Sequence, residues 1–328
     1  MHSMDNGRAR ASGQAATLPA RPAQSKSRYA VAARDGTRFR ILGPIEAWAD
    51  EHRLSLGGPR QRTLLAFLLL NPNRGLTSDV LVDAVWGSRR SESHNRLAMA
   101  VARLRKALEP LNGSGGTPLQ TVSCGYLLMV GPRELDSAQF SERLENGLRA
   151  LNTGDPARAA ASIDDALRLW RGTPLAEVCF EDFAQPELRR LEEMRLVALE
   201  TRVEAELQLG HHAQLVGELE ATLAQEPTRE RVACQLMLAL YRSGRQTDAL
   251  DVYQRTRVHL ATAFGLQPGP ALAGLQSRIL HHSSGLNLAG CRPPGALNAA
   301  TSCSRPLPTR LILTSPAGAL APVRRSAA

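Results

Sequence analysis

Lysine is almost missing from this chain. Lys26 and Lys106 are the only two among its 40 basic residues. Heavy use of arginine, alanine and leucine reads as codon bias in a high-GC genome more than as a binding code, which discounts part of the basic signal. Cysteine is scarce too. Five cysteines, an odd number without a Cys-x-x-Cys pair, argue against a disulfide framework or a zinc ribbon. Cys124, Cys179 and Cys234 read as small apolar fillers, and Cys291 and Cys303 have no histidines at ligand spacing. No apolar run approaches the ~18–20 residues of a membrane span. Met1 to Tyr29 is polar and lacks the apolar stretch of a signal peptide. The expectation is a cytoplasmic protein, nucleoid-associated if it binds DNA, with no membrane partner and no cofactor.

Catalytic signatures are missing as well. No Gly-x-Ser-x-Gly occurs, and neither lysine sits in the Gly-Lys-Ser/Thr of a phosphate-binding loop. The doublets His211-His212 and His281-His282 are neighbours that point to different helix faces, so they read as surface polar residues rather than ligand pairs. Asp164-Asp165 and Glu192-Glu193 read as solvated helix faces. The expectation is a protein that is not an enzyme.

What the chain does have is charge set apart by region. Lys and Arg outnumber Asp and Glu by 6 to 2 over residues 1–36, 12 to 7 over 37–131 and 5 to 0 over 283–328. Over 132–282 the balance reverses, 17 against 22. Such segregation favours a polyanionic partner for one end only.

Four regions follow. Residues 1–36 are an aperiodic tail in which Met4 is an alternative start, and 283–328, rich in proline and free of acids and aromatics, form a second; both are expected to be disordered. Residues 37–131 open with short strands at Phe39–Trp48 and Arg53–Leu56. Residues 132–282 read as helices at Ser137–Leu151, Pro156–Trp170, Pro186–Leu209, Ala213–Gln225, Thr228–Arg242, Thr247–Phe264 and Pro270–His282. Within them Leu207, Gly210 and Leu219 recur 34 positions on as Tyr241, Gly244 and Tyr253, the period of a tetratricopeptide (TPR) helix pair. The period predicts TPR-like pairs; a generic helical bundle is the alternative. The fold class expected is mainly α, a winged helix-turn-helix followed by an all-α TPR-like region.

The 37–131 region carries the chemistry. An apolar helix from Pro59 to Leu70 leads to Thr77 and a short helix ending on Trp86-Gly87, then to an arginine-bearing helix over 95–108. Strands around a turn in Thr121–Leu128 close it, the order of a winged helix-turn-helix. At helical spacing Leu97, Val101, Leu104 and Leu108 form a core stripe. Asn95, Met99, Ala102 and Lys106 centre the opposite face, with Arg96 and Arg103 on its shoulder. Arginine suits guanine or a phosphate pair, and asparagine suits adenine. Ser91 and Ser93 are candidate N-caps. Arg60, Arg62 and Arg105 are further candidate DNA contacts. A surface helix of a bundle shows the same amphipathicity; the flanking elements favour the DNA-reading choice.

At these residues the chain resembles the SARP family of actinomycete activators. Gly57-Gly58-Pro59-Arg60-Gln61-Arg62, Leu81-Val82-Asp83-Ala84-Val85-Trp86-Gly87, Arg103-Leu104-Arg105-Lys106-Ala107-Leu108 and Gly125-Tyr126-Leu127-Leu128 look like its OmpR-type DNA-binding half. Ala166-Leu167-Arg168-Leu169-Trp170-Arg171-Gly172, Leu191-Glu192-Glu193-Met194-Arg195-Leu196, Gln235–Gln246 and Leu266–Leu272 look like its bacterial transcriptional activator domain. The likeness spans about residues 38–282. It implies control of antibiotic or other secondary-metabolite gene clusters, binding to direct repeats in double-stranded promoter DNA near the −35 element, contact with RNA polymerase, and self-association into a homodimer or oligomer. Relatives commonly hold Gln, His and Ser where this chain has Ala98, Ala100 and Ala102, and a basic residue at Val122; base discrimination is where loss or a shifted target is expected. A helical scaffold that binds a peptide in its TPR-like groove, with 38–130 as a structural cap, is the reading from another class.

Overall fold

The computed structural model describes residues 38–87, 93–112, 117–123 and 125–287. The tails 1–36 and 288–328, Ser91 and Cys124 lie outside the described residues. The first strands are short. β1 (Phe39–Arg40), β2 (Glu46–Ala49) and β3 (His52–Arg53) pair antiparallel in that order. The expected continuous Phe39–Trp48 strand is broken because residues 41–45 turn away from the ladder. The N–H groups of Ile41 and Leu42 bond to the Asp136 carboxylate at 2.8–3.0 Å. Their carbonyls accept from Leu175 N–H (2.9 Å) and Arg171 N–H (2.7 Å). The segment's polar groups are satisfied 90 or more residues away, which no strand periodicity reports.

Next come α1 (Pro59–Leu70), β4 (Leu76–Thr77), α2 (Ser78–Trp86), α3 (Ser93–Ala107) and the hairpin β5 (Leu119–Val122) and β6 (Gly125–Leu128). Proline at N1 starts α1 without losing a useful N–H. Thr77 caps α2, its Oγ1 accepting from Val80 N–H, and Gly87 ends that helix with φ +69°. β4 pairs with β6, giving the sheet order β4-β6-β5. Gly125 is fixed by this pairing. Its φ is +158°, and a Cβ there would meet the Leu76 carbonyl oxygen at 2.0 Å.

The helical half runs α4 (Asp136–Asn152), α5 (Pro156–Leu167), α6 (Gln185–Leu209), α7 (His212–Gln225), α8 (Glu230–Arg242), α9 (Gln246–Phe264) and α10 (Pro270–Leu280). Consecutive helices pack as neighbours, the TPR-like arrangement expected from the 34-residue period. The repeat is visible in bonds. Gly210 and Gly244 are left-handed at φ +91° and +79°, followed by His211 N–H on Glu206 C=O (3.0 Å) and Arg245 N–H on Leu240 C=O (2.9 Å). α5 stops three residues before Trp170, which turns in to set its ring edge against Phe140, 5.5 Å between centroids. Past His282, Ser284–Leu286 form a 3-10 turn whose Leu286 is buried against α8 and α10, so the packed region extends beyond the expected boundary. Among the described residues no helix is long and apolar enough to cross a membrane.

Cores do not respect a boundary at residue 131. The largest joins Phe39, Leu64, Leu68, Leu97, Val101 and Leu104 to Leu135, Leu175, Val178, Ala184 and Leu188. Leu42 in turn enters a core of Phe140, Leu144, Ile163 and Leu191. Residues 172–184, the strap between α5 and α6, lie across α1, where Phe183 meets Phe67 edge-on at 5.1 Å.

Candidate nucleic-acid interface

α3 is built as a two-sided helix. Leu97, Val101 and Leu104 are at most 1% exposed, and Leu108 just beyond is fully buried. Three or four residues apart, these side chains place one face in the core and hold the other in solvent. On the outer face Asn95, Arg96, Met99, Ala102, Arg103 and Lys106 are all exposed, Met99 to 54%. Six of the nine residues expected at the interface therefore share one solvent-facing surface. Ser93, one of the two candidate N-caps, is itself the first residue of α3, and Ser91 lies outside the described residues.

The other three are held elsewhere. Arg105 donates through Nε to Leu119 C=O at 2.9 Å and through Nη2 to Thr121 Oγ1 at 2.7 Å, with its guanidinium 5.8 Å from the Tyr126 ring centroid. It ties α3 to the β5–β6 wing. Arg60 donates to Val85 C=O at the end of α2. Arg62 pairs with Glu177 of the strap at 2.6 Å and lies against Gly57 C=O. All three engage protein groups and stand apart from the exposed face of α3.

Ala100 corrects one expectation. The resemblance places Ala100 with Ala98 and Ala102 among the positions where base discrimination is expected to suffer, yet Ala100 is 7% exposed and packs in the main core. Ala98 and Ala102 are exposed. Of the three alanines, only these two stand on the outer face, beside the apolar Met99. Val122, at the wing turn, pairs with Gly125 and is half-buried.

One contact was missed. His94 Nε2 lies 3.1 Å from Asp79 Oδ1, joining the first turn of α3 to the first turn of α2, with both side chains mostly exposed. Nothing in helical periodicity links positions 15 apart on different elements.

Away from α3 the two halves share a polar seam. Arg171 lies 2.9 Å from Glu46 and 3.4 Å from Asp136. Glu177 accepts from Ile45 N–H at 2.8 Å. Burial pushes the Asp136 carboxyl above the ordinary carboxylate range, opposed by the N–H groups of Ile41 and Leu42 and by Arg171. Among the described residues no group of His, Cys, Asp and Glu is arranged to hold a metal ion.

Comparison with known proteins matches two stretches of the chain. Residues 52–128 match the family described as transcriptional regulatory protein, C terminal, and residues 135–280 match the bacterial transcriptional activator domain. The chain is similar to the regulatory protein AfsR of Streptomyces coelicolor, 42% identical over 247 residues that cover 74% of this chain and 24% of that one. It is also similar to the regulatory protein DnrI of Streptomyces peucetius, 33% identical over 80% of this chain and 99% of that one. The solved structure of Mycobacterium tuberculosis EmbR in complex with a low affinity phosphopeptide superposes with a TM-score of 0.70 at 33% identity, covering 75% of this chain and 66% of that one. The chain thus spans about a quarter of AfsR and nearly the whole of DnrI.

Proposed function

This chain belongs to the SARP family of regulators, an OmpR-type DNA-binding region joined to a bacterial transcriptional activator domain, and from that premise we propose that it activates transcription at promoters it reads through α3. One observation carries the reading. α3 buries Leu97, Val101 and Leu104 while presenting Asn95, Arg96, Met99, Ala102, Arg103 and Lys106 together, beside a wing tied to it by Arg105. A helix held this way enters a major groove with its outer face, and its arginines and lysine reach phosphates or guanine edges. Arg60 and Arg62 stand apart from that face. Copies of the chain occupy direct repeats near the −35 element, and the helical half recruits RNA polymerase. The regulated genes are those of a secondary-metabolite cluster, as for an antibiotic, and the protein works in the cytoplasm on the nucleoid.

Footprinting of the purified protein on genomic fragments across a salt series tests this. Discrete footprints on direct repeats, with affinity falling steeply as salt rises, are expected. Salt-sensitive coating without position would leave phosphate contact and remove sequence reading. Absence of binding at low salt would overturn the proposal in favour of a helical scaffold.

A further inference from the structure

The exposed face of α3 changes character along its length. Asn95, Met99, Ala102 and Lys106 follow one another at spacings of four, three and four, so they form one ridge along the centre of that face. The ends of the ridge are polar and its middle is apolar. Met99 lies opposite the buried Leu97, Val101 and Leu104, so its place on the helix keeps it out of the core, and it is 54% exposed. Ala98 and Ala102, exposed beside it, are short, and Arg96 and Arg103 take the other flank. Methionine is the one large apolar side chain on this surface.

In the function proposed above, the floor of a DNA major groove covers this face, and the inference rests on that reading. At ~1.5 Å per residue the stretch from Met99 to Ala102 spans ~4.5 Å. Stacked base pairs are ~3.4 Å apart, so the apolar middle of the ridge meets one base step or two. Every base pair offers hydrogen-bonding groups in the major groove, and thymine alone adds an apolar one, its C5 methyl. Guanine N7 and O6 or cytosine N4 pressed against a thioether would lose water and gain no partner, which is costly. A thymine methyl meets the thioether with apolar surface, and methionine's unbranched chain adapts to its position.

We propose that Met99 is a specificity-determining residue that reads a pyrimidine 5-methyl group, thymine's in unmodified DNA, at the middle of the site α3 occupies. Base choice at that step then comes from burying a methyl group rather than from a hydrogen bond. Asn95 and Lys106 address the base pairs or phosphates on either side.

The test uses the full-length chain on its footprinted promoter, with deoxyuridine replacing thymidine one position at a time. Deoxyuridine lacks only the methyl group. Each site is expected to hold a thymine whose methyl, when removed, weakens wild-type binding about fourfold, the worth of one buried carbon. Met99→Ala is expected to keep its unfolding midpoint, since the side chain is exposed, and to bind the thymine and uracil promoters equally. With that T·A pair replaced by C·G, 5-methylcytosine is expected to bind the wild type more tightly than cytosine by a similar factor. Discrete footprints with no methyl-sensitive position, equal binding of the two cytosines, or methyl sensitivity that persists in Met99→Ala would overturn this inference and leave promoter reading standing. Absence of discrete footprints removes promoter reading and this inference with it.

Discussion

The carboxylate of Asp136 accepts the backbone N–H of Ile41 through both oxygens, at 2.8 and 2.9 Å, and the N–H of Leu42 through one of them at 3.0 Å. Asp136 opens the first helix of the activator domain, and Ile41 and Leu42 lie at the start of the DNA-binding half. The bond network replaces a strand ladder with a joint between halves. Together with Leu42 in the α4–α6 core and Leu175 and Val178 in the α1–α3 core, it makes the orientation of α3 depend on the helical region.

Removing that acceptor should be costly. Asp136→Ala leaves two buried N–H groups without a partner and strips Arg171 of one counter-charge, for an expected loss of about 2–4 kcal/mol in urea unfolding. Asp136→Asn keeps one acceptor oxygen and should lose less. A loss under about 1 kcal/mol in the alanine variant would show that water takes over the N–H groups and that the joint is looser than drawn.

Arg103 and Arg105 are two positions apart, and their substitutions should fail differently. Arg103 is exposed on the outer face, so Arg103→Ala should leave stability unchanged and weaken promoter binding by ~1–3 kcal/mol if it reads a base. If it touches only phosphate, affinity should drop evenly across sequences, with the salt slope falling by about one. Arg105→Ala should loosen the wing, because Leu119 C=O and Thr121 Oγ1 lose their donor. Its signature is reduced thermal stability together with weaker binding. Unchanged promoter affinity in Arg103→Ala would remove it from the interface.

The fold was legible in sequence where its causes are local. Gly210 and Gly244 announced helix ends because left-handed backbone favours glycine, and the 34-residue spacing carried over into equivalent hydrogen bonds. The break in Phe39–Trp48 was not legible, since its cause is a carboxylate 95 residues away. The same holds for Arg62, whose partner Glu177 is 115 positions on. In the candidate site, the core stripe and the exposed face of α3 followed from spacing alone. The roles of Arg60, Arg62 and Arg105 did not, because a long cation gives no sign of which carbonyl or carboxylate it will meet.

Cys234 offers a check on the packing of α8. Burial pushes its thiol up to about 11, with Glu230 adding to the shift and Arg278 opposing it. Raising the pKa disfavours the thiolate, which is the reactive form. Alkylation by iodoacetamide, mapped by mass spectrometry, should therefore pass over Cys234 at pH 7.5 and reach it only as the pH approaches 11 or the chain unfolds. Rapid labelling at neutral pH in the folded protein would mean that α8 opens to solvent.

Ala100 and Ala102 separate packing from reading on one helix. Ala100 lies three residues after Leu97 and four before Leu104, on the buried stripe, so His at this position must force an imidazole into a filled core. Overpacking and an unpaired ring nitrogen together should cost more than ~2 kcal/mol, seen as a lowered unfolding midpoint. Ala102 is exposed on the opposite side. Ala102→Ser adds a hydroxyl to the outer face without touching the core, so stability should hold while binding-site selection returns a narrower base preference at one position. An unnarrowed preference in Ala102→Ser, or a selection by the unaltered chain as sharp as its relatives', would show that Ala98 and Ala102 do not limit discrimination. Specificity would then reside in Asn95, Met99 and the arginines, or in DNA deformability read through phosphate contacts.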